Sequence, residues 1–204
     1  MSPLRSVRCG VLAVVLAGAC LLGAGGADFK RPDPASFTLG KTTEQEIRQR
    51  FGQPDAQATG QVGDQPVLVL QYTHIETAAD LVAARAMVYM FNGGRLVGFD
   101  YSSSFAADQT VFDESAVKRI KRGETTRAQT RTLLGPPTGQ FIYPSAYAPM
   151  PGRHTDVYSF SRTERTASGG TLDQVSRVLA LVFDERDVVV ETSLVTTSTS
   201  RPLQ

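Results

Sequence analysis

The sequence predicts an α+β fold built from two tandem α-α-β-β-β modules, each a short helix pair laid on a three-stranded antiparallel sheet. Three observations lead there. Gly40-Lys41-Thr42-Thr43 runs through Arg48 to Gly52-Gln53-Pro54, and Gly123-Glu124-Thr125-Thr126 runs through Arg131 to Gly135-Pro136-Pro137, 83 residues further on at each position. Arg85 to Asn92 returns as Arg177 to Asp184 with an offset of 92. Alternating apolar runs closed by turn residues follow each punctuated segment. One supersecondary unit used twice accounts for all three.

The chain has 204 residues. Arg5 and Arg8 precede an apolar run from Gly10 to Leu22, the form of an export signal. The run is shorter than the roughly 20 apolar residues that span a bilayer. Leu16-Ala17-Gly18-Ala19 before Cys20 is similar to a lipobox, which predicts a lipoprotein-type signal over 1–19 and acylation of Cys20. Cleavage within Ala24-Gly25-Gly26-Ala27, giving a released form, is the alternative. Residues 20–36, polar and carrying Pro32 and Pro34, read as a tether.

The first module is placed at 37–101 and the second at 112–195, with a polar linker over 102–111 and a frayed Ser/Thr-rich tail over 196–204. Thr43 with Glu46 and Thr126 with Gln129 fit capping boxes, so helices begin there. Gly52 and Gly135 end them, and the prolines beyond prevent continuation. Asp113 to Lys121 reads as a preceding helix in the second module, whereas the first has only Ala35 to Leu39 in that place. Strands are expected at Val67–Thr73, Met87–Phe91 and Leu96–Tyr101, then at Val157–Ser161, Arg177–Phe183 and Val188–Val195. Asn92-Gly93-Gly94 supplies a hairpin turn.

Charge and cysteine usage narrow the function. Formal net charge is +1, about −1 once Arg5 and Arg8 leave with the signal, and no Lys/Arg block supplies a nucleic-acid footprint. Cys9 and Cys20 are the only cysteines, which excludes a disulfide framework, a thiolate metal site and a Cys nucleophile downstream of the leader. Gly40-Lys41-Thr42 lacks the earlier glycine of a phosphate loop, because Ala35 stands there. A metal site would need His74 and His154 together with Glu76 or Asp156, and nothing in the sequence joins them. A hydrolase would need one of those histidines beside a carboxylate and a hydroxyl in one pocket. No catalytic residue, cofactor or metal is predicted, and no enzyme activity.

Two features suit contact with a partner. Arg48 and Arg131 hold equivalent helix positions, either as solvated residues or as lipid or partner contacts. Tyr143-Pro144-Ser145-Ala146-Tyr147-Ala148-Pro149-Met150-Pro151 has no counterpart in the first module. Its prolines limit the entropy lost on binding and its tyrosines offer contact area. Tyr143, Tyr147 and Met150 are the candidate partner-binding residues; the bland alternative is a loop whose tyrosines cover the sheet.

Gly then Thr, a capped short helix, Gly-x-Pro and three strands resemble the SmpA/OmlA (BamE-like) lipoprotein family. The matching stretches are Thr43 to Pro54 and Thr126 to Pro137, with Ile120-Lys121-Arg122-Gly123 upstream. The resemblance implies an α-α-β-β-β fold, an acylated N-terminal Cys, and residence in the outer membrane facing the periplasm, near barrel assembly. Tandem modules also resemble the secreted β-lactamase-inhibitor proteins, which clasp an enzyme with a concave sheet and depend on disulfides this chain lacks. The expected function is a non-enzymatic envelope lipoprotein that binds or scaffolds another envelope protein, linked to outer-membrane assembly or integrity. The alternative is a soluble periplasmic or secreted inhibitor or ligand-binding protein.

Overall fold

The computed structural model describes residues 30–78, 81–108, 110–165 and 170–202. The signal 1–19, Cys20 and most of the tether lie outside them. Elements run in the order α1 (Glu44–Phe51), β1 (Ala56–Val62), β2 (Gln65–Ala78), β3 (Leu81–Asn92), β4 (Arg95–Ser103), α2 (Glu114–Val117), α3 (Arg127–Leu134), β5 (Gly139–Ile142), β6 (His154–Arg165), β7 (Thr171–Phe183) and β8 (Val189–Pro202). Each strand pairs antiparallel with its neighbours in sequence, giving one eight-stranded sheet in the order β1 to β8.

The fold-class expectation is therefore corrected. The described residues are not two tandem modules of a helix pair on three strands; they form a single antiparallel meander carrying three short α-helices. Ala56–Val62 pairs with Gln65–Gln71 along its length although almost all of it is exposed, so no apolar alternation announced it. Gly139–Ile142 pairs with β4 on one side and β6 on the other, which makes the sheet continuous. Before α1 the chain makes only a 3-10 turn at Pro34–Ser36, and the helix expected over Asp113–Lys121 is reduced to the four residues of α2. Residues 196–202, read as tail, continue β8 against β7 out to Pro202. The expected linker begins inside β4, where Ser103 is buried, and Thr110 is buried too.

Local chemistry repeats in both halves. Thr43 accepts from the Glu46 N–H at 3.2 Å while Glu46 accepts from the Thr43 N–H at 2.7 Å, and Thr126 with Gln129 does the same at 3.3 and 2.8 Å. Gly40 and Gly123, at φ 77° and 78°, donate to the carbonyls of Leu96 and Val189 at 2.7 and 2.8 Å. A positive φ is open to glycine because it has no Cβ. Tyr72 and Tyr158 donate to the helix-ending carbonyls of Gly52 and Gly135 at 3.1 and 3.2 Å, tying each helix to its strands.

Helices this short are held by packing rather than propensity. Ile47 and Phe51 pack with Phe37, Leu70, Tyr72, Met87, Tyr89, Phe91, Leu96, Phe99 and Tyr101. Val117, Ile120 and Leu134 pack with Phe112, Tyr158, Leu179, Leu181, Phe183 and Val189.

Candidate binding surface

Alternation along the strands sorts the sheet into two faces. Leu70 and Tyr72 of β2 stand in register with Tyr89 and Met87 of β3, and these with Phe99 and Tyr101 of β4. The same face continues through Gln140, Asp156 and Tyr158 to Leu179, Leu181 and Phe183. Both apolar clusters lie on it, so all three helices cover one side of the sheet.

The opposite face differs between the two halves. Over β1 to β4 it presents Ala58, Val69, Val88 and Met90, the last three half-buried, with Ile75 51% exposed. Among the described residues, neither the helix-side clusters nor that around Tyr147 includes these side chains. Over β5 to β7 the residues between Tyr143 and Pro151 fold back onto the sheet. The Tyr147 ring sits 4.8 Å from that of Phe141, in a cluster with Val157, Val178 and Ala180. Thr155 donates to the Tyr147 carbonyl at 2.7 Å, and the Ala148 N–H donates to the Ser145 carbonyl at 3.0 Å. Burial, with the Asp100 charge adding, pushes the Tyr147 phenol up to about 12. Tyr147 thus covers the sheet, Tyr143 is half-buried at the mouth of a cleft, and Met150 is 60% exposed.

The seam between the halves is built from β4 and β5. Asp100 accepts from the Ser159 hydroxyl at 2.6 Å and from the Thr138 hydroxyl at 2.9 Å. Its β5 partner is Gly139, where a Cβ would come 2.6 Å from the Asp100 carboxylate, so only glycine fits. Burial raises the Asp100 carboxyl to about 6, against those hydrogen bonds and the nearby Arg31 charge. The Thr138 N–H reaches the Val157 carbonyl at 2.8 Å and the Tyr101 N–H the Thr138 carbonyl at 3.2 Å, which carries backbone pairing through the seam.

On the helix side, a cleft of about 810 Å³ is lined by Phe37, Leu39, Arg127, Ile142, His154 and Asp187, among others. Beside it the Asp156 side chain, fully buried, is clasped by two guanidinium groups. Arg127 donates to it from Nη2 at 2.5 Å and Nε at 3.1 Å, and Arg131 from Nε at 3.0 Å. Burial works against the Arg131 charge, but the bond to Asp156 outweighs it and raises the guanidinium further. A carboxylate clasped in this way by two guanidiniums makes several charge-assisted hydrogen bonds at once. The equivalent sheet position in the first half, two residues before the matching tyrosine, is Leu70, and there Arg48 pairs instead with Glu44 at 2.8 Å.

The two histidines have separate partners. His74 lies 3.1 Å from Glu76 and stacks on Phe105. His154 lies flat on Phe183, with centroids 5.4 Å apart, and its Nε2 is 2.6 Å from Asp187. So His154 does meet a carboxylate in a cleft, yet no side-chain hydroxyl is hydrogen-bonded to it among the described residues. Asp187 takes φ 60° at the hairpin position that Gly94 fills in the first half. Aspartate tolerates this conformation. No group of three or more potential metal ligands occurs among the described residues.

Sequence reasoning missed Asp100 and Asp156 as organising residues. Alternation from Tyr158 back to Asp156 would have put that carboxylate on the apolar face, where it needs cationic partners, and Arg127 and Arg131 supply them. Nothing local announced Asp100, whose partners come from the other half of the chain.

No protein-family model matches this chain, and no curated protein matches it. Among solved structures, it is similar to one described as "putative beta-lactamase inhibitor protein" from Streptococcus mutans, at 13% identity, over 79% of this chain and 91% of that chain, with a TM-score of 0.45.

Proposed function

We propose that this chain is a non-enzymatic protein-binding module of the cell envelope, held at a membrane by lipid on Cys20, with the uncovered sheet face of β1 to β4 as its recognition surface. One observation carries the reading: the helices of the described residues pack on one side, leaving Val69, Val88 and Met90 half-buried on the other and outside the apolar clusters. Partly exposed apolar side chains on fixed strands bind with little ordering cost. The leader ending in Cys20 and the resemblance to the SmpA/OmlA lipoproteins support the envelope setting. Outer-membrane assembly or integrity is the process that resemblance suggests.

The test uses cross-linking in intact cells followed by fractionation. The wild-type chain is expected in the membrane pellet with a defined cross-linked partner. Val69→Lys with Ile75→Lys should lose that partner while keeping the melting temperature, since Ile75 is 51% exposed and Val69 lies outside the helix-side core. Cys20→Ser should move the chain to the soluble fraction. An unchanged cross-link in the double variant removes the proposed surface, and a wild-type chain already soluble favours the released binder.

A further inference from the structure

Strand β8 borders the sheet. It pairs with β7 over Val189–Pro202, and no strand pairs with its other side among the described residues. Residues 191–200 are exposed throughout. Such an edge offers a row of unpaired backbone N–H and C=O groups, and proteins blunt it with shortness, proline, lysine or a mid-strand bulge. Between 191 and 200 this edge has none of those, and Pro202 stands only at its end. Its single charge there is Glu191, and its register shift lies at the start, beside Phe183. Val190, Thr192, Val195, Thr196, Thr197 and Thr199 are β-branched, which favours the extended backbone. Leu194 and Val195, on opposite faces, are 41% and 47% exposed.

The opposite border is a poorer template. Strand β1 has seven residues, including two alanines and Gly60, and Arg48 of α1 reaches over it to Gln57 at 3.0 Å.

We propose that two copies of this chain associate through β8, antiparallel about a two-fold axis normal to the sheet, so that one sheet runs through both. An antiparallel edge is complementary to itself, and a two-fold contact closes without forming a fibre. The register that places Val195 against its own symmetry mate sets Leu194 against Thr196 of the second copy and Ser193 against Thr197. Glu191 then faces Thr199, so no like charges meet across the contact. Strand pairing alone buries less than the roughly 1,200 Å² of a standard interface, so the dimer forms in a concentration-dependent way.

Sedimentation velocity of the full chain over about 1 to 100 µM tests this, a range suited to a small interface. The mass should rise from monomer to dimer. Val195→Lys sets two lysines together while leaving β8 paired to β7; it should stay monomeric with an unchanged circular-dichroism melt. A second measurement needs no loss of stability. In a Cys9→Ser, Cys20→Ser background, Val195→Cys should oxidise to a disulfide dimer, because opposed residues in an antiparallel pair lie about 4.5–5.5 Å apart at Cα. Thr199→Cys, four residues from the axis, should not. A monomer across the whole range, a dimer that survives Val195→Lys, or equal cross-linking at both positions overturns the proposal.

Discussion

The ring of Phe141 on β5 lies directly over the α-carbon of Gly98 on β4, so close that a methyl group there would come 1.9 Å from its Cδ1. The two residues are paired across the seam where one half of the sheet becomes the other. Gly98→Ala must therefore displace a buried ring at a junction only three residue pairs long. Overpacking of this kind costs about 1–3 kcal/mol. Chemical denaturation should show that loss, and Phe141→Leu combined with Gly98→Ala should recover part of it.

Asp100 makes stability depend on pH. Its folded carboxyl titrates at about 6 rather than 3.8, because burial disfavours the charge. The folded state thus holds a proton that the unfolded chain has released. The stabilisation is fully present below pH 4 and is lost as pH rises through 6. A shift of this size corresponds to about 2–3 kcal/mol, at about 1.4 kcal/mol per unit. Asp100→Asn removes the titration, so the difference in urea midpoint between the two chains should open between pH 4 and pH 7. A constant difference would refute the assignment.

Asp156 answers two arginines. Asp156→Asn leaves Arg127 and Arg131 without their buried counter-ion and should cost about 2–4 kcal/mol, the guanidiniums being partly wet. The first half contains the apolar solution, with Leu70 in the sheet and Glu44 paired to Arg48. Asp156→Leu together with Arg127→Glu copies it and should be more stable than Asp156→Leu alone. Thermal melts of the three chains decide.

Tyr147 and Met150 separate covering from contact. Tyr147→Ala strips a ring that packs on Phe141, Val157 and Ala180 and should destabilise by about 2 kcal/mol or more. Met150→Ala, at an exposed position, should stay within about 0.5 kcal/mol.

Capping offers a check on the repeat itself. Thr43→Ala and Thr126→Ala should each cost about 1 kcal/mol. Lying in separate halves, they should add in the double variant.

The repeat was legible because glycine, threonine and proline punctuate the backbone by conformation, which sequence records directly. Thr43, Thr126, Gly52 and Gly135 stand where their chemistry placed them. Strands with a buried face were legible for the same reason, as at Met87, Tyr89 and Phe91. What escaped was pairing without a pattern. Ala56–Val62 is a polar border strand, and Gly139–Ile142 is too short to show a period, yet each adds the fourth strand to its half and the second joins the halves. Of the two readings open for its loop, Tyr147 takes the position of the second, a ring packed on its own sheet. Asp156 was visible in principle, as a carboxylate in step with Tyr158.

Among the described residues every strand hydrogen-bonds only to those next to it in sequence. Most of the hairpins close over short loops at little entropic cost, whereas β4 and β5 meet only across the residues between Ser103 and Gly139. The polypeptide can be laid down like knitting, row upon row, as it emerges from the N-terminal end. β4 is the last row of the first half, and the narrow seam at Gly98 and Phe141 is where the second half is cast on.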